Sequence, residues 1–205
     1  MLDCSPPPGM RQEIIEIGVV EMDLQALEIT RERSHFVRPR RWEISERCTE
    51  LTGITKEDIQ GARSFSEVLQ SLAEEFTPGK ALCCAWGNDA GLIEATCHAH
   101  GFKTPLRYRV DLSQLFSWLL LLKQIRSLRD AVEMLGLDFD GVPHGALVDA
   151  RNTARVHAAL IRRMRREPDL VAPSVKQVID APAVTSFGEK LRRAIVLENL
   201  NNSGD

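Results

Sequence analysis

The chain has 205 residues, 43% of them hydrophobic and 27% charged, with a formal net charge of −3. This balance is typical of one globular domain with an appendage, and the length allows a full core without disulfides or structural zinc. The net charge gives no general attraction to nucleic acid, so a polyanion site would have to be a local patch. Two arginine clusters could form such a patch or simply be solvated: Arg38, Arg40 and Arg41, and Arg162, Arg163, Arg165 and Arg166.

The cysteine pattern and the apolar runs favour a cytoplasmic location. The five cysteines form no CxxC pair, which argues against a disulfide framework or a zinc ribbon and favours a reducing environment. No signal-peptide pattern is seen, and WLLLL at 118–122 is too short to cross a membrane. We therefore expect a soluble, cytoplasmic protein.

Two strand patterns come early in the chain. Residues 13–23, EIIEIGVVEMD, are rich in β-branched residues and predict a strand. A turn at 24–26 would lead into a second strand at 27–37, whose alternating charges are typical of an antiparallel strand with one wet face. Pro39 would end that strand.

Helix patterns follow. CTELTGIT at 48–55 predicts a short helix that closes at Gly53. A longer helix would begin after a cap at Ser64 or Ser66 and run to Phe76. Its inner face would be formed by Phe65, Val68, Leu69, Leu72 and Phe76.

The second half of the chain adds a buried strand and several helices. KALCCAWG at 80–87 is a continuous apolar run, which predicts a strand buried on both faces. Strands followed by helices in this order predict an α/β layered domain. The helices would span 90–100, 111–123, 128–135 and 146–166.

The composition changes after residue 166. Residues 167–185 are rich in proline and indicate a linker, and SFGE at 186–189 fits a capping box at the start of a short C-terminal helix. We therefore expect a main domain at 1–166, a linker at 167–185, and a helix with a tail at 186–205.

Asp149 is an acid in an unexpected place. It lies on the apolar stripe of the last predicted helix, where an ionised carboxylate needs a partner such as a cation. His144, in the loop sequence GVPHGA, precedes it by five residues and could swing toward whatever Asp149 holds. A buried salt bridge for Asp149 and a capping role for His144 are the alternative.

Asp89 and Asp3 extend this pattern. Asp89 follows the strand at 80–87, and ligands collect at the carboxyl ends of strands in open α/β sheets; a helix cap at Asn88 or Asp89 is the alternative. Asp3 would be a third acid if it ends a strand. Carboxylates at strand ends beside a histidine suit a phosphodiester hydrolase with two Mg²⁺ or Mn²⁺ ions, in which the histidine takes the proton of the attacking water.

Five segments together resemble a known family. They are QEIIEIGVV, FVRP, CTELTGIT, AWGND with a cysteine eight residues past Asp89, and HGALVDARNTA. Over residues 1–165 their order and spacing resemble the DEDDh 3′–5′ exonucleases, which include the proofreading exonuclease of bacterial DNA polymerase and ribonuclease T. The branch that they resemble most is that of the histone-mRNA-type exoribonucleases.

The resemblance implies a fold and an activity. The fold would be ribonuclease H-like, with a mixed five-stranded sheet flanked by helices. The activity would be hydrolysis of phosphodiester bonds at the 3′ end of single-stranded RNA or DNA, with two Mg²⁺ or Mn²⁺ ions.

The resemblance also implies roles for single residues. The metal-binding and catalytic acids would be Asp3, Asp89 and Asp149, with His144 as the general base. The pocket for the 3′ nucleotide would be lined by Leu51, Thr52 and Gly53. In the family the middle acid stands one residue further from the Trp-Gly pair than Asp89 does here.

The first motif departs from the family. The family pattern is Asp-x-Glu, whereas this chain reads Asp3-Cys4-Ser5, and a serine cannot supply the negative charge of a glutamate. The strand before Asp3 is also cut to two residues. Three hypotheses remain open: an active exonuclease, an impaired nuclease-like module that binds nucleic-acid ends or a protein, and a truncated version of an active enzyme.

Overall fold

The computed structural model describes residues 13–40 and 43–166. The chain divides into two compact units, Met1–Ile161 and Arg162–Asp205. The strands of the described part are β1 (Glu16–Asp23), β2 (Glu28–Arg38), β3 (Arg63–Ser64), β4 (Leu82–Ala85) and β5 (Tyr108–Asp111). Its helices are α1 (Glu46–Thr52), α2 (Lys56–Gln60), α3 (Phe65–Phe76), α4 (Asp89–Ala99), α5 (Leu112–Leu119), α6 (Leu128–Met134) and α7 (Ala146–Arg166).

Several predicted features lie outside the described residues. They are Asp3, Ser5, Arg41, the proposed linker at 167–185 and the proposed helix at 186–205. None of the helices in the described ranges is long and apolar enough to cross a membrane.

The first two strands form the predicted antiparallel hairpin. β1 pairs with β2 from Glu16 opposite Phe36 to Asp23 opposite Glu28. The Asp23 carboxylate closes the turn, because it accepts hydrogen bonds from the backbone N–H groups of Gln25 and Ala26 at 2.6 and 2.9 Å. The hairpin therefore follows the sequence pattern, with β1 starting three residues later than predicted.

Helix α3 matches its prediction closely. Ser64 and Glu67 form a capping box at its N-terminus, so Ser64 is the cap. Its five predicted inner residues, Phe65, Val68, Leu69, Leu72 and Phe76, are all buried. They form one core cluster with Ile17 of β1, Val37 of β2 and Cys97 of α4. This cluster fixes α3 and α4 against the hairpin.

The strands of the described part form two sheets. β1, β2 and β3 make one sheet, and β4 and β5 pair in parallel as another. The α/β class is confirmed, whereas the expected single five-stranded sheet is not seen among the described residues. The prediction that β4 is buried on both faces is wrong, because Leu82 is 53% exposed and the rest of β4 is half-buried. In the described part β4 has a hydrogen-bonded neighbour on one side alone, so its apolar residues are less covered.

The C-terminal helices enclose a second core. Helix α5 is shorter than the predicted helix at 111–123, because Asp111 ends β5 and caps the helix, which stops at Leu119. Phe116, Val132 and Val156 of α5, α6 and α7 pack together and are fully buried. Helix α7 spans Ala146–Arg166, as predicted.

Candidate active site

Asp111 ties together the carboxyl ends of β4 and β5. Its Oδ1 accepts hydrogen bonds from the backbone N–H of Gly87, which follows β4, and from that of Ser113, at 3.0 and 2.9 Å. Burial alone raises the pKa of Asp111, but the hydrogen bonds from Ser113, Gln114 and Gly87 outweigh it and lower the pKa below its usual value. Asp111 is thus an ionised brace for the turn that leads to Asp89.

Asp89 is the first residue of α4, directly beyond that turn. The N-cap residue is Asn88, as the capping alternative allowed, although its side chain makes no capping hydrogen bond; Asp89 itself is not the cap. Part of the Asp89 residue is exposed, yet loss of solvent around its carboxylate raises its pKa, and the charges of Asp149 and Asp111 raise it further. The carboxylate therefore lies within electrostatic reach of two other acids.

Asp149 lies in the first turn of α7 and is half-buried. Burial is the main cause of its raised pKa, and the charge of Glu16 adds to it. The backbone N–H of His144 donates to its Oδ1 at 3.4 Å, which acts in the opposite direction. Asp149 takes part in none of the ion pairs found among the described residues. The salt-bridge alternative is therefore not supported.

His144 is exposed in the loop that leads into α7. Its φ of 79° is in the left-handed region, which is uncommon for a residue with a side chain and must be held by the surrounding structure. An exposed imidazole at this place can exchange protons with water. The backbone of His144 is thus hydrogen-bonded to Asp149, whereas the role of its imidazole stays a prediction.

Asn152 anchors the other end of the His144 loop. It is fully buried, and its side-chain amide accepts from the backbone N–H of Asp140 at 3.0 Å and donates to the carbonyl of Asp140 at 2.9 Å. Its Nδ2 also donates to the carbonyl of Val148. Asn152 was not predicted from the sequence, although a polar residue four positions before Val156, on the inner side of the helix, was an available signal.

Two of the three predicted acids, Asp89 and Asp149, come within electrostatic reach of each other, and His144 joins them. Burial disfavours the ionised form of each acid. The charge of Asp149 adds to this effect at Asp89, and the charge of Glu16 adds to it at Asp149, which is an arrangement that a divalent cation would relieve. In the described ranges no three His, Cys, Asp or Glu side chains cluster closely enough to hold a metal ion. A complete metal site would therefore need a further ligand, and Asp3 lies outside the described residues.

The predicted nucleotide pocket falls at the C-terminal end of α1. Leu51 and Thr52 are half-buried, and Gly53 takes the left-handed conformation with a φ of 73°. The Thr52 hydroxyl donates to the carbonyl of Cys48 at 2.7 Å and accepts from the backbone N–H of Ile54 at 3.1 Å. These bonds fix the shape of the turn that the three residues form.

The fold and the site together define an α/β domain that gathers carboxylates and a histidine near the ends of a strand and of a long helix, as hydrolases of phosphate esters do. A family model described as Exonuclease (RNase_T) matches residues 4–157. The chain belongs to this exonuclease family.

Exoribonucleases are among the curated relatives. The chain is 30% identical over 169 residues to 3′-5′ exoribonuclease 1 of Rattus norvegicus, covering 76% of this chain and 49% of that protein. It is 33% identical over 223 residues to ERI1 exoribonuclease 2 of Danio rerio, covering 95% of this chain and 39% of that protein. The chain thus spans half or less of the length of these relatives.

Solved structures share the fold. The nuclease domain of 3′hExo, a DEDDh family member bound to rAMP, superposes with a TM-score of 0.70 at 26% identity, covering 80% of this chain and 86% of that one. Cell-death related nuclease 4 superposes with a TM-score of 0.63 at 20% identity, covering 75% of this chain and 57% of that one. The second likeness concerns the fold alone.

Proposed function

We propose that this chain is a divalent-metal-dependent 3′–5′ exonuclease that removes nucleotides from single-stranded RNA. The observation that carries the proposal is that Asp89 lies within electrostatic reach of Asp149, whose Oδ1 accepts a hydrogen bond from the backbone N–H of His144. Family membership supports the reaction type, and the exoribonuclease relatives favour RNA over DNA. The structural likeness to 3′hExo supports a ribonuclease H-like arrangement.

Asp89 and Asp149, together with Asp3, would hold the metal ions. Exonucleases of this family generally depend on divalent metals, and oxygen ligands of this kind suit Mg²⁺ or Mn²⁺. Two bound ions would supply charge stabilisation and an acidified water during phosphodiester hydrolysis. Asp89 and Asp149 are suited to this because neither takes part in an ion pair found among the described residues.

His144 would act as the general base. Its exposed imidazole, on a loop fixed to Asp149, can accept the proton of the attacking water and pass it to solvent. Leu51, Thr52 and Gly53 would bound the pocket for the 3′ nucleotide; this role rests on the family resemblance and on the fixed turn that they form.

Labelling the RNA at one end or the other tests whether cleavage starts at the 3′ end. With an RNA 20-mer carrying a 3′-terminal label, we expect labelled mononucleotide at the earliest times, in Mg²⁺ or Mn²⁺ but not in EDTA. With a 5′ label, the same RNA should shorten stepwise. His144→Ala and Asp149→Ala should both abolish release; full activity in both variants would refute the assignment of the site.

A non-catalytic binding module is the second candidate, and Ser5 favours it. The family glutamate is missing at Ser5, and the described acids alone do not make a cluster that could hold a metal. Such a module would bind RNA ends in a salt-dependent way and leave them intact. A calorimetric Mn²⁺ titration separates the two candidates: two cooperative ions support the enzyme, whereas one weak ion or none supports the module.

A further inference from the structure

We propose that Glu16 is a positioning residue that fixes the start of α7 and, through it, the loop that carries His144. The proposal deepens and rests on the proposed function, since it assigns a role in supporting the general base. Glu16 lies on β1, and it is separated from α7 by most of the chain.

Both oxygens of the Glu16 carboxylate are engaged. Oε2 accepts a hydrogen bond from the backbone N–H of Ala146, the first residue of α7, at 2.8 Å. Oε1 accepts from the Ser34 hydroxyl of β2 at 2.6 Å. The first turn of a helix leaves backbone N–H groups without intrahelical partners and carries a partial positive charge, so a carboxylate is well suited to this place.

Gly18 brings the same two elements into close contact. It follows Glu16 by two residues on β1, so the two positions lie on the same face of the strand. A Cβ on Gly18 would lie 2.3 Å from the carbonyl carbon of Ala146 and from the backbone nitrogen of Leu147, which no side chain can tolerate. The bare backbone of β1 therefore lies directly against the start of α7, and Glu16 adds the polar bond at that contact.

The His144 loop is consequently held on both sides. Ala146 follows His144 by two residues and is bound by Glu16, while Asp140 precedes it and is bound by Asn152. Between these anchors His144 keeps a left-handed backbone that a free loop would readily leave. Both oxygens of Glu16 accept hydrogen bonds from protein donors, so we assign it the role of a hydrogen-bond acceptor.

Two variants of Glu16 and one control test the proposal in the full chain. Glu16→Ala removes both bonds, whereas Glu16→Gln keeps a carbonyl oxygen for the Ala146 N–H and an amide N–H for the Ser34 oxygen. Glu21→Ala is the control, because Glu21 lies on the same strand and pairs with Arg31 at the exposed surface. Ser34→Ala, at an exposed position, gives a milder form of the same loss.

Hydrogen–deuterium exchange and kinetics are then measured on each variant. In Glu16→Ala we expect peptides covering 141–149 to exchange about 10-fold faster, and kcat to fall by about 10- to 100-fold with KM changed less than about 3-fold. Glu16→Gln and Glu21→Ala should match the wild type in both, and Ser34→Ala should show a smaller increase in exchange. A residue that merely stabilised the fold would not give this combination, in which Glu16→Ala lowers kcat and Glu16→Gln restores it.

Unchanged exchange at 141–149 in Glu16→Ala would overturn the proposal, as would equal kcat losses in Glu16→Ala and Glu21→Ala. If Glu16→Ala does not fold, Ser34→Ala and Glu16→Gln decide: exchange at the wild-type rate in Ser34→Ala contradicts the proposal. If the wild type itself does not cleave RNA, the proposed function fails, and the exchange measurements still decide whether Glu16 holds the loop.

Discussion

The backbone N–H of His144 donates to Oδ1 of Asp149, with 3.4 Å between nitrogen and oxygen. This bond links the backbone of the loop before α7 to the first turn of the helix. Burial nevertheless leaves the charge of Asp149 unfavourable, because one long hydrogen bond does not replace the lost solvent. Under the proposed function, a cation bound by the carboxylate would relieve this cost.

In metal-free protein, the pH dependence of the free energy of unfolding should show the cost of keeping Asp149 and Asp89 ionised. The folded-state pKa of Asp149 and Asp89 is raised above the ordinary value of 3.8, so the native state holds more protons than the unfolded state above that pH. The contribution of these two acids to the free energy of unfolding should therefore fall as pH rises through the raised pKa values. Thermal melts in EDTA between pH 4 and 8 measure this, and Mn²⁺ at pH 7 should recover the loss.

Asp149→Asn provides the matched control. The amide oxygen keeps the acceptor for the His144 N–H and removes the charge, so the variant should melt at the wild-type temperature or above it in EDTA at pH 7. It should also lose most of the Mn²⁺-induced stabilisation. A variant that melts well below the wild type in EDTA, with its Mn²⁺ effect intact, would contradict the placement of the metal at Asp149.

His144→Ala should lower kcat by about 100-fold or more with little change in KM, because general bases contribute about 10²- to 10⁴-fold to such reactions. The measurement is the initial rate of nucleotide release from single-stranded RNA in saturating Mn²⁺. His98→Ala is the control, since His98 is an exposed histidine on α4 and should retain full activity. Similar rates in the two variants would remove His144 from the chemistry.

Asp111→Ala should destabilise the domain and loosen the turn before Asp89. The variant loses a helix cap, which costs about 1–2 kcal/mol, and it also frees the backbone N–H of Gly87. Urea denaturation measures the cost, and the matched variant is Asp130→Ala, which loses a capping-box acid at the N-terminus of α6, away from that turn. An Asp111→Ala variant that loses no more stability than Asp130→Ala, with full activity, would refute the bracing role.

Local chemistry explains which elements the sequence could predict. The α3 helix combines a serine cap, a glutamate three residues later and a clear apolar face, and all of these act within a few residues. The β1–β2 hairpin and α7 are similarly predicted by the local spacing of their apolar residues. Asp89, Asp149 and His144 could be chosen because an acid after an apolar strand and an acid on an apolar helix face are both costly without a function.

The missed features depend on contacts between distant parts of the chain. Glu16 and Ala146 are 130 positions apart, so no local pattern indicates their hydrogen bond. β5 has four residues and its neighbour β4 is less covered than its apolar run suggests, because strand burial is decided by which elements flank a sheet. Asp111 looked like an ordinary helix start, and its second role toward Gly87 appears only in three dimensions.

Ser5→Glu tests whether the first motif limits activity. A glutamate would restore the Asp-x-Glu pattern and add a carboxylate, so we expect Mn²⁺ affinity and the rate of RNA hydrolysis to rise by about 10-fold or more. Ser5→Gln is the matched control, since it adds a side chain of similar size without charge. Equal rates in Ser5→Glu and the wild type would show that the missing glutamate does not limit this protein.

We propose that Asp149 and its neighbours make this chain a metal-dependent 3′–5′ exonuclease. The most direct measurement is the single-turnover rate of shortening of a 5′-labelled single-stranded RNA in Mn²⁺, with wild type and Asp149→Asn purified side by side. We expect stepwise shortening from the 3′ end by the wild type and a rate lower by about 100-fold or more in Asp149→Asn. Equal shortening by both proteins, or intact RNA with the wild type, would contradict the claim.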